Sequence, residues 1–388
     1  MPINPAIQEL VPEAQKWRRD LHANPELLYD LPRTANFVAE RLREFGCDEV
    51  RTSIGKTGVV GVIRGRKGAS NRAIGLRADM DALPIEETTN LPYRSRVPGK
   101  MHACGHDGHT AMLLGAARYL ARTRDFSGAA IVIFQPAEEG GAGAQAMIDD
   151  GLMEDFAIEE VYGMHNYPNL PVGVFALRKG PLMAAADFFT IRLEGKGGHA
   201  AFPNHCVDTI VAGAQIVTAL QTIVSRNVDP LDSCVVSIAR FSAGSANNIL
   251  PHTAELEGTT RTLQPPTRDL AERRIREIVA GIAAASGITA NIDYVRNYPP
   301  TINHPAQTDF AVSVARHVAG ANRVMTEVQP VMGAEDFSFM LEARPGAFIW
   351  IGNGDSAGLH HPGYDFNDAA LPYGMAYFAG VVETALTA

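Results

Sequence analysis

An uninterrupted apolar run, Ala129-Ala130-Ile131-Val132-Ile133-Phe134, is followed directly by Gln135-Pro136-Ala137-Glu138-Glu139. A short strand that is apolar on both faces is expected in the middle of a sheet covered by helices. Apolar residues recur at helical spacing over residues 107–121 before this strand, and a second helix is predicted over residues 142–150 after it. Strands that alternate with helices in this way predict a three-layer α/β domain.

The pattern extends outward in both directions. Toward the N-terminus it predicts helices over residues 5–24 and 34–45 and strands over residues 59–63 and 73–78. Beyond Gly180-Pro181 it changes to strand, helix, two strands, helix and strand, which is a ferredoxin-like order. A chain of 388 residues is too long for one compact core. We therefore predict a catalytic domain built from residues 1–184 and 297–388, with a satellite domain inserted over residues 185–296.

The composition argues against some classes of binding partner and indicates a cellular location. The net charge of −9 argues against a nucleic-acid partner or an anionic membrane surface. The 4 cysteines include no CxxC pair, which is typical of a reducing compartment. Residues 1–10 lack the charged and apolar regions of a signal peptide, and no stretch reaches the roughly 18–20 apolar residues of a membrane span. We therefore expect a cytoplasmic protein.

The segment His102-Ala103-Cys104-Gly105-His106-Asp107-Gly108-His109 brings three imidazoles and a thiol beside a carboxylate. Imidazole and thiolate together are the ligand set of zinc and similar metals. Cys104 and His106 lie just before the predicted helix, in a short loop that can close on a metal ion. His102 and His109 are weaker candidates that suit structural hydrogen bonds. The segment predicts a metal-dependent hydrolase.

Carboxylates follow two of the predicted strands. Glu138 and Glu139 are adjacent, and their negative charges repel each other. A bound metal cation would offset this repulsion. One carboxylate can ligate the metal while the other takes a proton from water that the metal acidifies. Asp81, just beyond the strand at residues 73–78, either orients a ligating imidazole or caps the next segment.

Further histidines are candidates for the same site. His165 follows the apolar stretch Val161-Tyr162-Gly163-Met164, and it is either a polar core residue or a ligand. One of the pair His360-His361 is a second candidate ligand.

The predicted satellite domain also carries polar candidates. His199 lies among glycines and suits polarisation of a carbonyl or stabilisation of an oxyanion. Arg261 suits a substrate carboxylate, and Asn247 and Asn248 lie in the same block. A structural role is an equal alternative for each.

A set of motifs occurs together in one order along the chain. They are Arg77-Ala78-Asp79-Met80-Asp81-Ala82-Leu83-Pro84, Met101 to His109, Gln135 to Gly140, Gly163-Met164-His165-Asn166, Gly198-His199-Ala200, Gly333-Ala334-Glu335-Asp336-Phe337 and His360-His361-Pro362. In this combination the sequence resembles the M20 metallopeptidase family over nearly its whole length. Within that family it is similar to the amidohydrolase branch, which holds hippurate hydrolase, N-acyl-amino-acid amidohydrolases and the plant auxin-conjugate hydrolases.

The resemblance implies a three-layer αβα metallopeptidase catalytic domain with an inserted ferredoxin-like α+β dimerisation domain, and a homodimer or a dimer of dimers. It implies two divalent metal ions per subunit. The ligand types favour zinc or manganese before cobalt or nickel. The implied metal ligands are Cys104, His106, Glu139, His165 and His360. His360 is preferred to His361 because the family's ligand is followed by one variable residue and then a proline.

The same resemblance implies roles for the remaining candidates. Glu138 is the general base and acid, and Asp81 supports the ligands. His199 matches a histidine that reaches the other subunit's site in family dimers. The positions matched near the substrate are Asn247, Asn248 and Arg261.

The predicted reaction is hydrolysis of a small N-acyl amino acid, such as hippurate or an N-acetyl amino acid, to a carboxylic acid and a free amino acid. Water acidified by the metals attacks the amide after Glu138 takes its proton. Two alternatives remain open. One is a dipeptidase or carboxypeptidase of the same family, and the other is a non-catalytic metal- or amino-acid-binding protein.

Overall fold

The computed structural model describes residues 3–68 and 70–387. In chain order, the strands are β1 (Glu49–Ile54), β2 (Gly58–Arg64), β3 (Ala73–Asp79), β4 (Ala129–Gln135), β5 (Glu160–Pro168), β6 (Phe175–Ala176), β7 (Gly180–Met183), β8 (Ala185–Glu194), β9 (Gly198–His199), β10 (Cys234–Ala243), β11 (Ile249–Leu250), β12 (Thr253–Thr262), β13 (Thr289–Tyr298), β14 (Thr301–Asn303), β15 (Val324–Met325) and β16 (Gly346–Gly354). The helices are α1 (Pro5–Gln8), α2 (Val11–Ala23), α3 (Pro32–Glu44), α4 (His106–Thr123), α5 (Gly143–Asp149), α6 (Leu152–Asp155), α7 (Thr209–Thr222), α8 (Pro265–Ser286), α9 (Pro305–Ala319), α10 (Phe337–Ala343) and α11 (Leu371–Ala385).

The chain forms two compact units. The larger unit comprises Met1–Gly180, Ile302–Gln329 and Asp336–Ala388. The smaller unit comprises Pro181–Thr301 and Pro330–Glu335. Each unit has its own hydrophobic core.

The larger unit is built on an eight-stranded sheet with the order β1-β2-β4-β3-β5-β16-β6-β15. The four central strands, β4, β3, β5 and β16, are parallel to one another. All seven residues of β4 are buried, as its apolar sequence predicts for a central strand. Parallel strands place their carboxyl ends at one edge of the sheet, where ligands bind in open α/β folds.

Two sets of helices cover this sheet. One set, with α3, α4, α9 and α11, packs on strands from β1 to β16, and the other set contains α5 and α10. The most deeply buried helix is α4, whose predicted apolar positions Met112, Leu113, Ala116, Ala117 and Leu120 have no exposed surface. The predicted three-layer αβα architecture is therefore confirmed.

The smaller unit contains a four-stranded antiparallel sheet with the order β10-β12-β8-β13. Its chain order is β8, α7, β10, β12, α8 and β13, in which two helices alternate with strands. Both helices contact each other and the sheet, and Ile216, Leu220, Ile275 and Val279 are buried between them. This is the predicted ferredoxin-like α+β topology.

The opening of the chain differs from its prediction. The single helix predicted over residues 5–24 is wrong, because α1 ends at Gln8 and α2 begins at Val11. Pro12 occupies the first turn of α2. Proline has no N–H to donate to a preceding turn but suits the start of a helix, so it begins a new helix there.

Among residues 3–68 and 70–387, no helix has both the length and the apolar character needed to cross a bilayer.

Candidate metal centre

The centre lies at the carboxyl ends of the parallel strands of the larger unit. Asp79 ends β3 opposite Gln135 at the end of β4. His165 was expected to follow a strand, but it lies within β5 and pairs with Trp350 of β16. The loops leaving β3 and β4 carry Asp81 and Glu138, so strand order alone brings these segments to one edge.

A tight turn presents Cys104 and His106. Gly105 has a φ of 88° and precedes the first residue of α4. A side chain at this position would collide with the Asn166 amide and the Tyr364 hydroxyl. Glycine therefore permits both the left-handed backbone and the close approach of the loop to these two side chains.

The predicted ligands converge. Cys104, His106 and His165 place one ligand atom each within 4.8 Å of one another. The same holds for Cys104, Glu139 and His360. The Sγ of Cys104 is 3.3 Å from Nε2 of His165, and Nε2 of His360 is 3.3 Å from Oε1 of Glu139. Cys104 belongs to both groups, an arrangement that suits two neighbouring cations.

His106 also belongs to a group with Glu138 and Glu139. Its Nδ1 lies 2.8 Å from the backbone oxygen of Asp81, which fixes the ring with Nε2 pointing the other way. This Nε2 is buried and has no hydrogen-bond partner among the described residues. Because an unsatisfied buried nitrogen is costly, the donor set fits divalent metal ions.

The pKa values of the imidazoles of His106 and His165 are shifted in opposite directions. Burial disfavours a charge on His106, but the carboxylates of Asp79 and Asp81 raise its pKa to about 10. Burial and then the neighbouring His109 hold the pKa of His165 well below its usual range. Burial, followed by the charges of Glu139 and Glu138, raises the pKa of the Cys104 thiol. A bound cation would compensate the carboxylates and displace these protons.

Asp81 holds the glutamate pair. Its Oδ1 accepts a hydrogen bond from the Glu138 N–H at 3.0 Å, and its Oδ2 accepts one from the Glu139 N–H at 3.1 Å. Ala137, just before the pair, has a φ of 54°, a conformation that is rare for residues other than glycine. The segment is thus held in an unusual turn by a buried carboxylate. Asp81 also meets Nδ1 of His106, with its backbone oxygen at 2.8 Å and its carboxylate Oδ1 at 3.5 Å.

Three side chains beside the ligands had been given no role from the sequence. Asp79 is buried, and its Oδ1 lies 2.7 Å from Nδ1 of His109 while its Oδ2 accepts a bond from Arg77. The Asn166 side chain bonds to Cys104 and Tyr364. Asn166 directly follows His165 in a quoted motif, which was the available signal. Nothing in the sequence indicated Tyr364.

His109 forms a further group of candidate ligands with Asp79 and His106, whereas His102 and His361 join none among the described residues. His102 is buried, its ring nitrogens have no hydrogen-bond partner among residues 3–68 and 70–387, and burial lowers its pKa to about 3. His361 accepts a hydrogen bond from the Gly363 N–H at 3.0 Å. Neither belongs to a group of candidate ligands within the described residues.

The other predicted site residues lie in the smaller unit. His199 is exposed in β9, pairs with Ile249, and accepts a hydrogen bond from the Ala201 N–H at 3.1 Å. Asn247 and Asn248 are exposed just before β11.

Arg261 lies in β12, with its guanidinium 5.6 Å from the centroid of the exposed Phe188 ring. Burial lowers the pKa of this half-buried arginine. No carboxylate of the described chain lies within ion-pair distance of it.

Comparison with known proteins identifies the family of the chain. A model of the peptidase family M20/M25/M40 matches residues 75–384. The chain belongs to this family. It is 46% identical over 379 residues to a hippurate hydrolase of Campylobacter jejuni, covering 98% of both chains. It is 41% identical over 363 residues to an N-acetylcysteine deacetylase of Bacillus subtilis, covering 93% of this chain and 94% of that one.

A solved structure is also similar to this M20 protein. A dinuclear metal-binding peptidase of the M20 family from Bacillus subtilis has a TM-score of 0.86 and is 36% identical, covering 98% of this chain and 99% of that one. The predicted family, its amidohydrolase branch and the enzyme class are confirmed. The chain is an M20 amidohydrolase whose donor groups suit divalent metals.

Proposed function

We propose that this M20 amidohydrolase cleaves the amide bond of small N-acyl amino acids, giving a carboxylic acid and a free amino acid. The observation that carries the proposal is the Glu138-Glu139 pair, which Asp81 holds beside Cys104, His106 and His165. The relatives named hippurate hydrolase and N-acetylcysteine deacetylase support this class of substrate.

In this proposal the metals are held by Cys104, His106, Glu139, His165 and His360. A divalent cation, when bound, supplies Lewis acidity that polarises a carbonyl and acidifies water. A thiolate together with imidazoles favours zinc, and the carboxylates make manganese, cobalt or nickel acceptable. We propose zinc or manganese as the native ions.

Glu138 is the proposed general base and acid. Its side chain is 8% exposed, and its Oε2 lies 4.0 Å from Nε2 of His106. Glu138 takes a proton from water while the water oxygen forms a bond to the amide carbon. The C–N bond then breaks, and Glu138 returns the proton to the leaving nitrogen, so the free amino acid departs as an amine.

Residues of the smaller unit bind the substrate in this proposal. Arg261, which has no ion-pair partner in the described chain, receives the substrate carboxylate. Asn247 and Asn248 donate to polar groups of the acyl amino acid. His199 stabilises the oxyanion that develops on the carbonyl oxygen.

We further propose a homodimer, or a dimer of dimers, formed through the smaller unit. Ile210, Val211 and Val224 are exposed on and just after α7, and Val211 is 54% exposed. β10 lies at an edge of the four-stranded sheet. An exposed apolar helix face beside an open sheet edge favours association with a second copy. Sedimentation equilibrium tests this state, and a monomer at micromolar concentration would reject it.

The test of the activity is incubation with hippurate and a panel of N-acetyl amino acids, with and without added zinc, manganese or cobalt. Free amine is the readout. Release that needs metal and stops with a chelator supports the proposal and ranks both metal and acyl group. Release from unblocked dipeptides alone would favour a peptidase. Binding of both ligands without any release would favour a non-catalytic protein.

A further inference from the structure

One buried amide lies behind the candidate ligands. Asn166 has no exposed surface. Its Nδ2 donates to the backbone oxygen of Cys104 at 2.6 Å, and its Oδ1 accepts a hydrogen bond from the Tyr364 hydroxyl at 2.7 Å. Its backbone N–H donates to Nε2 of His109 at 2.9 Å. The side-chain amide therefore has partners on both of its polar atoms.

These bonds join three segments that are far apart in sequence. The first segment carries Cys104, and the second is β5, where the backbone oxygen of Asn166 lies 2.6 Å from Nδ1 of His165. The third segment runs from His360 to Tyr364, and the His360 N–H donates to the backbone oxygen of Ala103 at 2.8 Å. Each of the three contributes a candidate metal ligand.

The hydrogen bonds of His109, the partner on the far side of Asn166, assign the accepting and donating nitrogens of its ring. Nε2 of His109 accepts from the Asn166 backbone, so this nitrogen carries no proton. Nδ1 of His109 therefore holds the ring proton and donates to Oδ1 of Asp79 at 2.7 Å. A rigid chain of bonds thus runs from Asp79 through His109 to Asn166, and the end of β3 anchors it.

The turn at Gly105 lies directly against the amide of Asn166. A Cβ on Gly105 would collide with Nδ2 of Asn166 and would lie 2.6 Å from the Tyr364 hydroxyl. The loop that carries Cys104 is thus in direct contact with the amide. A change in the amide is transmitted to the ligand loop instead of being absorbed by empty space.

We propose that Asn166 is a positioning residue that holds the segments of Cys104, His165 and His360 in a metal-binding arrangement. The inference rests on the proposed metal centre, and it assigns to Asn166 a share of the affinity for the metal. Residues that orient metal ligands typically contribute about 10–100-fold to metal affinity.

The test compares Asn166→Asp and Tyr364→Phe with Asn303→Asp in the full chain. Asn303 is a matched control because it is also fully buried, with Oδ1 accepting from the Phe348 N–H at 2.6 Å and Nδ2 donating to the Phe348 oxygen at 2.9 Å. Zinc and cobalt affinities are measured by competition with a chelator, and thermal unfolding is measured without metal.

Asn166→Asp replaces a donor with an acceptor opposite the Cys104 carbonyl, so metal affinity should fall about 10–100-fold. The cobalt absorption spectrum should change as well. Tyr364→Phe should give a smaller loss in the same direction. Asn303→Asp should lower the unfolding temperature of the metal-free protein and leave metal affinity unchanged. If Asn166 had only a structural role, Asn166→Asp would give this same result.

The outcomes separate the two proposals. If the wild-type chain binds no metal, the metal centre fails, and this inference fails with it. If the wild-type chain binds metal and Asn166→Asp binds it equally well, only the role of Asn166 is overturned. If Asn166→Asp does not fold, Tyr364→Phe decides, because it removes only a hydroxyl, and unchanged affinity in that variant would reject the inference.

Discussion

The Sγ atom of Cys104 lies 3.3 Å from Nε2 of His165, although the two residues are 61 positions apart in the chain. The thiol is buried and also belongs to the group formed with Glu139 and His360. A soft sulfur donor at this shared position leaves a spectroscopic signature when cobalt is bound.

Replacement of that thiol is the first prediction. Cobalt-loaded wild-type protein should show a thiolate-to-cobalt charge-transfer band, and Cys104→Ser should lack it and bind cobalt more weakly. Cys206→Ser is the control, because Cys206 lies in the smaller unit and is in none of the candidate ligand groups of the described residues. A band that persists in Cys104→Ser would contradict the assignment.

The adjacent glutamates should separate catalysis from metal binding. Glu138→Gln should retain metal and lose about 10²–10⁴-fold in kcat, the usual contribution of a general base. Glu139→Ala should lose metal, because Oε1 of Glu139 faces His360 and lies in the group with Cys104. Metal content by elemental analysis and kcat on hippurate are the measurements. Near-full activity of Glu138→Gln would exclude it as the base.

The two adjacent histidines offer a matched pair. His360 adopts a φ of 62° and points Nε2 toward Glu139, whereas His361 accepts a bond from the backbone N–H of Gly363. His360→Ala should bind about one equivalent of metal fewer than the wild type, because each catalytic metal depends on few protein ligands. His361→Ala should keep the wild-type metal content. The reverse pattern would move the ligand to His361.

Asp81→Asn should weaken the centre without removing a ligand. The variant amide can accept from only one of the Glu138 and Glu139 N–H groups, and its NH₂ then opposes the other. Both metal affinity and kcat should fall about 10–100-fold. Steady-state kinetics at saturating metal separate the two effects. Recovery of full kcat with excess metal would mean that Asp81 serves metal binding alone.

Some features of the fold and of the site could be predicted from the sequence, and others depend on tertiary packing. The apolar run of β4 and the spacing in α4 predicted a central strand and a buried helix because burial on all sides leaves a plain pattern. The break before α2 was missed because the apolar face continues through it, and only Pro12 marked it. Within the site, the sequence predicted that Glu138 directly follows a strand and that Cys104 lies in the loop before a helix.

The hydrogen-bond partners behind these loops could not be predicted. Tyr364 and Asn166 are 198 positions apart, and their contact depends on the packing of complete strands. Asp81 was expected either to orient a ligating imidazole or to cap the next segment. Its Oδ1 lies 3.5 Å from Nδ1 of His106, but the carboxylate also accepts hydrogen bonds from the Glu138 and Glu139 N–H groups, which the sequence did not indicate. These bonds depend on the turns that follow β3 and β4, and residue type does not encode how two such turns meet.

A buried histidine away from the candidate ligands makes the stability of the larger unit depend on pH. His22 lies between Asp107, at 2.8 Å from Nδ1, and Glu87, at 3.3 Å from Nε2. Burial opposes its charge, but hydrogen bonds to Asp107 and Glu87 outweigh burial and raise its pKa to about 9 from 6.5. The charged form is therefore favoured in the folded state.

Because the folded pKa is raised, this contribution is fully present below pH 6.5 and is lost as pH rises through about 9. A shift of this size corresponds to a loss on the order of 3 kcal/mol in the free energy of unfolding. Urea unfolding followed by tryptophan fluorescence reports on the larger unit, since Trp17 and Trp350 both lie there. The wild type should lose this stability between about pH 6 and pH 9.5, and His22→Gln should not. The exposed His317 provides the control, because His317→Gln should show the same dependence of unfolding free energy on pH as the wild type. If His22→Gln also showed the wild-type dependence on pH, a charged His22 would be rejected.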